Sequence, residues 1–225
     1  MLRRCWHCHH HVRHSVYRQS RTIFDDIRMA ATKKVADYFY NSYDEKRVAE
    51  VGPDLACAEW LMKCGATSVR LSDGRVVDSL RQLKSVIKPD TPVLINAIDA
   101  SDSAISESGF AYFKGCAGIA TLKLNFCDFV TNDCIRRLEP LKNSLTDLEI
   151  VTNGNISDQA AYWLVKLTNL RRLHLYFLPC VHDRTGMLRK LKVGLPQCQI
   201  SFPKLDRVGY GYGSEKDSAA GESKS

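Results

Sequence analysis

Between residues 95 and 191 the chain alternates two patterns. Short apolar–polar–apolar triplets, which read as strands, stand at Ile98–Ala100, Leu122–Leu124, Leu148–Ile150 and Leu173–Leu175, and their starts are 24, 26 and 25 residues apart. Each is followed by an apolar residue, a hydroxyl or imidazole, and an acid within two positions. The apolar residues opening these phrases are Ile105, Val130, Ile156 and Val181, spaced 25, 26 and 25. Beyond them apolar side chains recur at helical spacing: Phe110, Phe113 and Cys116; Ile135, Leu138 and Leu141; Ala161, Leu164 and Leu167. Period two followed by period 3.6 predicts one strand and one helix per unit. A unit near 25 residues predicts an α/β leucine-rich-repeat solenoid, with Leu188 and Leu191 slipping out of step in a terminal, capping copy.

Cys127 suggests the cysteine-containing type of repeat, and Asn153 takes the same place one copy later. A buried Asn there can bond loop amides that no strand pairs, and a thiol can fill the space. In this reading Ser106, Thr131 and Ser157 cap helices, with Glu107, Asp133 and Asp158 in the first turns. An earlier, degenerate copy over 68–83 would bring the count to four or five repeats within 68–203.

Residues 25–67 do not follow the period and read as an N-terminal helical cap. The first helix, within 25–43, would group Ile27, Val35, Tyr38 and Phe39 on one side. The second follows Pro53, with Ala56, Cys57, Trp60, Leu61 and Cys64 on one face and Gly65 as a left-handed C-terminal cap. Residues 204–225 are a low-complexity tail, predicted disordered, whose "GYGYG" lacks a following helix to bind phosphate.

The 225 residues carry a formal net charge of +7. Five Arg lie within residues 1–24 beside five His and no acid, so +2 remains for the rest. That leader fits a mitochondrial transit peptide. "CWHCHHH" at 5–11 offers a second reading, a Cys/His metal cluster, but no second pair follows Cys5 and Cys8 at finger spacing. The nine cysteines are odd in number and scattered, the pattern of reduced, packed thiols. No apolar run is long enough for a transmembrane helix.

No Walker loop, dinucleotide fingerprint or nucleophile elbow is present, so no enzyme is predicted. The expected chemistry is the concave strand face, where Asp99, Lys123, Glu149 and His174 form one row and Thr121, Asp147 and Arg172 the next. Either these charges pair with one another across strands or they dock a partner. Their balance of sign argues against nucleic acid.

"RVAEVGPDLACAEWLMKCGA" (47–66), "NAIDASDSAI" (96–105) and "CDFVTNDCIRRL" (127–138) with "LEIVTNGNISDQA" (148–160) resemble the mitochondrial coupling factor B, or ATP synthase subunit s, family, over roughly residues 40–202. The resemblance implies a soluble protein peripheral to the mitochondrial inner membrane on its matrix side. There it would associate with the membrane sector of ATP synthase and support proton-coupled ATP synthesis. It also implies a magnesium site between cap and repeats, falling here on Gly65 and on Ser101, where the family has Thr. The family's close Cys pair is replaced by Asn125-Phe126-Cys127, which excludes a dithiol there. Two other roles suit such repeats. One is assembly of the distal membrane arm of respiratory complex I. The other is substrate recognition in a ubiquitin ligase, which would need an F-box that the cap lacks.

Overall fold

A computed structural model describes residues 31–35, 37–86 and 93–204. The expected leader, the start of the first cap helix and the tail beyond Lys204 lie outside the described residues.

The strands are β1 (Ser68–Leu71), β2 (Val76–Val77), β3 (Ile95–Asp99), β4 (Thr121–Lys123), β5 (Asp147–Val151), β6 (Arg172–Tyr176) and β7 (Gln199–Ser201). They form one mixed sheet in the order β2-β1-β3-β4-β5-β6-β7. From β3 to β7 all pairs are parallel and in register: Ile98, Leu122, Leu148, Leu173 and Ile200 stand side by side. The four nearest the cap are at most 2% exposed, because alternate residues face a helical layer and the others face outward. The phrase-opening Ile105, Val130 and Ile156, and the helical triads behind them, are buried in the same core.

The period is also written into the backbone. Asp102, Phe126, Thr152 and Phe177 have φ between 48° and 57°, one in each unit just past the strand. Bulky and β-branched residues avoid this left-handed region. Here the bend turns the chain toward the helical layer while ladder bonding continues: Asp102 N donates to Asn125 O, Phe126 N to Val151 O and Thr152 N to Tyr176 O.

Three expectations change. Residues 68–83 are not an early repeat: β1 runs antiparallel to both β2 and β3, so this segment is a hairpin closing the sheet at its N-terminal edge. The helical stretch of the first unit is a 3-10 helix, Glu107–Phe113, not an α-helix. And the Pro53–Lys63 helix has no solvent face along most of its length. Asp54 through Met62 are all buried, between the Glu45–Val51 and Leu80–Val86 helices, the sheet and the 3-10 helix.

Candidate functional site: the seam between cap and stack

The second cap helix ends as its glycine predicts. Gly65 has φ 82°, its N–H bonds Met62 O, and Ala66 N bonds Leu61 O, the paired bonds of a Schellman turn. The turn lies against the loop after β3: Ala104 N donates to Cys64 O at 2.9 Å, and Thr67 Oγ1 donates to Ser101 O at 3.1 Å. Gly65 and Ser101, far apart in sequence, therefore belong to two loops in direct contact.

Behind them is a buried polar hub that sequence reasoning missed. Asn41 is fully buried. Its Oδ1 accepts from Trp60 Nε1 (3.1 Å) and Ser106 N (3.0 Å), and its Nδ2 donates to Ala104 O (2.9 Å). Trp60, 1% exposed, stacks on Tyr112 at 5.5 Å and meets Phe113 edge-on. Gly109 leaves room for it: a Cβ there would sit 2.4 Å from the indole. Arg47 grips Glu59 through two nitrogens, at 2.9 and 2.6 Å, and this holds the Glu59 carboxyl below its usual range. Asp54 accepts Ile95 N at 2.8 Å, while burial pushes its carboxyl up. Asn41 carries no periodic signal. The one legible hint was the run of apolar residues around Trp60.

Of the expected apolar side of the first cap helix, Ile27 lies outside the described residues and the other three side chains are exposed. Val35, Tyr38 and Phe39 are 54%, 77% and 67% exposed.

As a magnesium site the seam is thin. Ser101 offers a hydroxyl, but its carbonyl already accepts Thr67 Oγ1 and its N–H is bonded to Asp99 Oδ1 at 3.1 Å. Gly65 offers only main chain. Among the described residues no group of three His, Cys, Asp or Glu side chains could hold a metal. A hard cation wants six or more oxygens, carboxylates included. These residues do not fit a resident, protein-caged ion.

The polar face of the sheet is arranged as its spacing predicts. Asp99, Lys123, Glu149 and His174 stand in one row, continued by Ser201, and Thr121, Asp147 and Arg172 in the next. Arg172 Nε is bonded to Asp147 Oδ1, and Lys123 lies 4.0 Å from Glu149, which also accepts Asn125 Nδ2 at 2.5 Å. Burial pushes Asp147 up, but hydrogen bonds from Arg172 and Thr146 outweigh it and leave its carboxyl below the ordinary range. The ladder is therefore largely self-paired.

The repeated phrase also does something other than expected. Neither Ser106 nor Thr131 caps its helix through the side chain, and Ser157 is not a cap residue. Instead the phrases join neighbouring units. Ser157 accepts Asn132 Nδ2 and returns its N–H to Asn132 Oδ1, and Asp158 accepts the amides of His182 and Asp183. Cys127 and Asn153 share a column. Cys127 Sγ donates to Ala100 O (3.1 Å), Asn153 Nδ2 donates to Leu124 O (2.5 Å), and Asn153 Oδ1 accepts Cys127 N. Burial raises the Cys64 and Cys127 thiols to about 12 and Cys134 in the same direction. Such thiols are poor nucleophiles.

No family model matches the chain. Curated relatives do. ATP synthase subunit s, mitochondrial, of Pongo abelii and of Homo sapiens are each 33% identical over 166 residues, 72% of this chain and 82% of theirs. The Bos taurus protein of the same name is 32% identical over 170 residues, again 82% of its length.

Proposed function

The chain belongs to the ATP synthase subunit s (coupling factor B) family, and from that membership we propose that it is a non-enzymatic accessory subunit of mitochondrial ATP synthase. It sits peripherally on the matrix side of the inner membrane, binds the membrane sector and supports proton-coupled ATP synthesis. The observation that carries this reading is the extent of the likeness: 33% identity over 72% of this chain and 82% of the relatives' length.

The same reading takes the units from β3 to β7 as leucine-rich repeats of the cysteine-containing type. In-register parallel strands, a left-handed bend in each unit and the Cys127–Asn153 column support it. No described helix is long and apolar enough to cross a membrane, which suits peripheral attachment. Relatives named as mitochondrial proteins count against the ubiquitin-ligase role.

Affinity purification of the tagged chain from mitochondria tests the partner. Recovery of ATP synthase subunits is expected. Recovery of complex I assembly intermediates without ATP synthase would replace this reading with the assembly role.

Magnesium enters the proposal only as a largely hydrated ion lodged between the Gly65 and Ser101 loops. Millimolar affinity is expected of so few ligands, and magnesium at ten times Kd would then stabilise the fold by about 1.4 kcal/mol. Thermal melts of wild type and Ser101→Ala, each with magnesium and with chelator, check it. The magnesium-dependent rise should vanish in Ser101→Ala while the metal-free melting temperature stays nearly unchanged. Equal responses in both proteins remove Ser101 from the site.

A further inference from the structure

Charge is distributed unevenly along the stack. Residues 159–204 hold eight Lys and Arg and a single acid, Asp183. That acid is occupied: its side chain accepts Gly186 N and caps the Arg184–Gly194 helix. Asp158, the nearest acid before it, is taken up by the amides of His182 and Asp183. Earlier in the stack Arg136 and Arg137 are matched by Glu107 and Asp133. Among the described residues, Lys166, Arg189, Lys190 and Lys192 have no ion-pair partner, and all four are exposed.

These four cations share the helical side of the last units, opposite the self-paired polar face. The Ala160–Leu164 and Arg184–Gly194 helices are closely packed there; a Cβ on Gly194 would come within 2.5 Å of Val165. Lys190 Nζ stands 3.7 Å over the exposed Tyr162 ring, and Lys166 Nζ 4.5 Å over Trp163. Val193, 78% exposed, extends from the same helix. Basic groups alternating with a tyrosine, a tryptophan and an aliphatic side chain suit an anionic lipid surface. The cations meet headgroup phosphates, and the amphipathic rings rest at the interface.

We propose that this helical face, built on Tyr162, Lys166, Arg189, Lys190, Lys192 and Val193, is where the protein lies on an anionic membrane. The inference rests on the peripheral-membrane reading above and names the surface it left open. Each basic residue near such a membrane adds to attraction that falls off within a Debye length, so binding is steeply salt-dependent.

The test is partition of the full-length chain onto phosphatidylcholine vesicles with and without roughly 20% phosphatidylglycerol. Wild type is compared with an Arg189→Gln/Lys190→Gln/Lys192→Gln variant and the corresponding triple Glu variant. Any attraction from the basic leader is common to all three proteins, so the difference between them is the readout. Hydrogen exchange of the Arg184–Gly194 helix on and off vesicles supplies a second, local one. The Gln variant should lose roughly tenfold or more in partition to anionic vesicles, the Glu variant should lose more, and exchange in this helix should slow on anionic vesicles only. Equal partition of all three proteins with unchanged exchange overturns the assignment, as does equal binding of wild type to neutral vesicles. Capture by soluble polyglutamate but not by vesicles also overturns it and gives the face to an acidic protein. Co-purification of ATP synthase from detergent extracts separates the two readings: if it persists when vesicle binding fails, only the surface is wrong.

Discussion

Asn41 and Asn153 are both fully buried, and both hold two chain segments together. Asn153 does so by position in a series. It bonds Cys127 N and Leu124 O of the preceding unit, as Cys127 bonds Ala100 O before it. Asn41 joins Trp60, Ala104 and Ser106 once, and nothing else in the described chain repeats the arrangement. A stack can distribute its bonding over equivalent units, since each contacts only its neighbours. The seam cannot. Its closure rests on contacts each made once, between segments far apart in the chain, and a loss there has no equivalent neighbour to share it.

The sharpest way to break that contrast is at the indole. Trp60→Ala removes a buried aromatic, its stacking on Tyr112 and its bond to Asn41, and should cost about 3–5 kcal/mol in urea unfolding. A loss below about 1 kcal/mol would mean that the cap is loosely attached. Next come the two asparagines. Asn41→Ala strands Trp60 Nε1 and Ser106 N in the core and should cost about 3 kcal/mol. Asn153→Ala strands Cys127 N and Leu124 O, but the ladder bonds on either side persist, so about 2 kcal/mol is expected. A larger loss for Asn153 than for Asn41 would invert the comparison.

Acid should act on the cap through Glu59, which joins its Glu45–Val51 and Pro53–Lys63 helices. Its bond from Arg47, the main cause, keeps the folded carboxyl below the unfolded value. The stabilisation is therefore complete above the ordinary glutamate pKa of about 4.3 and is lost as pH falls through the folded value. Asp54, raised by burial, works in the opposite sense. Comparing Glu59→Gln with wild type between about pH 6 and pH 3 isolates the first effect; the gap between them should narrow toward acid. The smallest change is expected on the polar face, where Arg172 is 72% exposed and solvent screens its pairing; Arg172→Ala should move the urea midpoint least of these variants.

The stack was legible because its information is periodic. Strand, phrase and helix recur at 24 to 26 residues, so Asp99, Lys123, Glu149 and His174 could be placed in one row before any coordinates. The bends at Asp102, Phe126, Thr152 and Phe177 were not legible. Nothing about Phe or Thr suggests a left-handed backbone, and the surrounding ladder imposes it. Nor was the hairpin over 68–77, whose "SVRLSDGRVV" carries a strand–turn–strand pattern but opens with the same apolar alternation as the repeat strands. The capping residues mislead for a related reason. Ser157 and Asp158 have the right types for a helix start, yet partners from the adjoining units compete for the same groups and win. At the seam, Gly65 was readable from its place after a helix, whereas Asn41 lies among exposed aromatics that gave no reason to expect burial.

The proposed role in energy coupling can be measured in mitochondria depleted of this protein and restored with it, as ATP synthesis driven by succinate, whose electrons bypass complex I. Depletion should lower succinate-driven ATP synthesis per oxygen consumed, leave NADH oxidation by complex I intact, and be reversed by the wild-type chain. Normal ATP yield on succinate together with a loss of complex I activity would contradict that role.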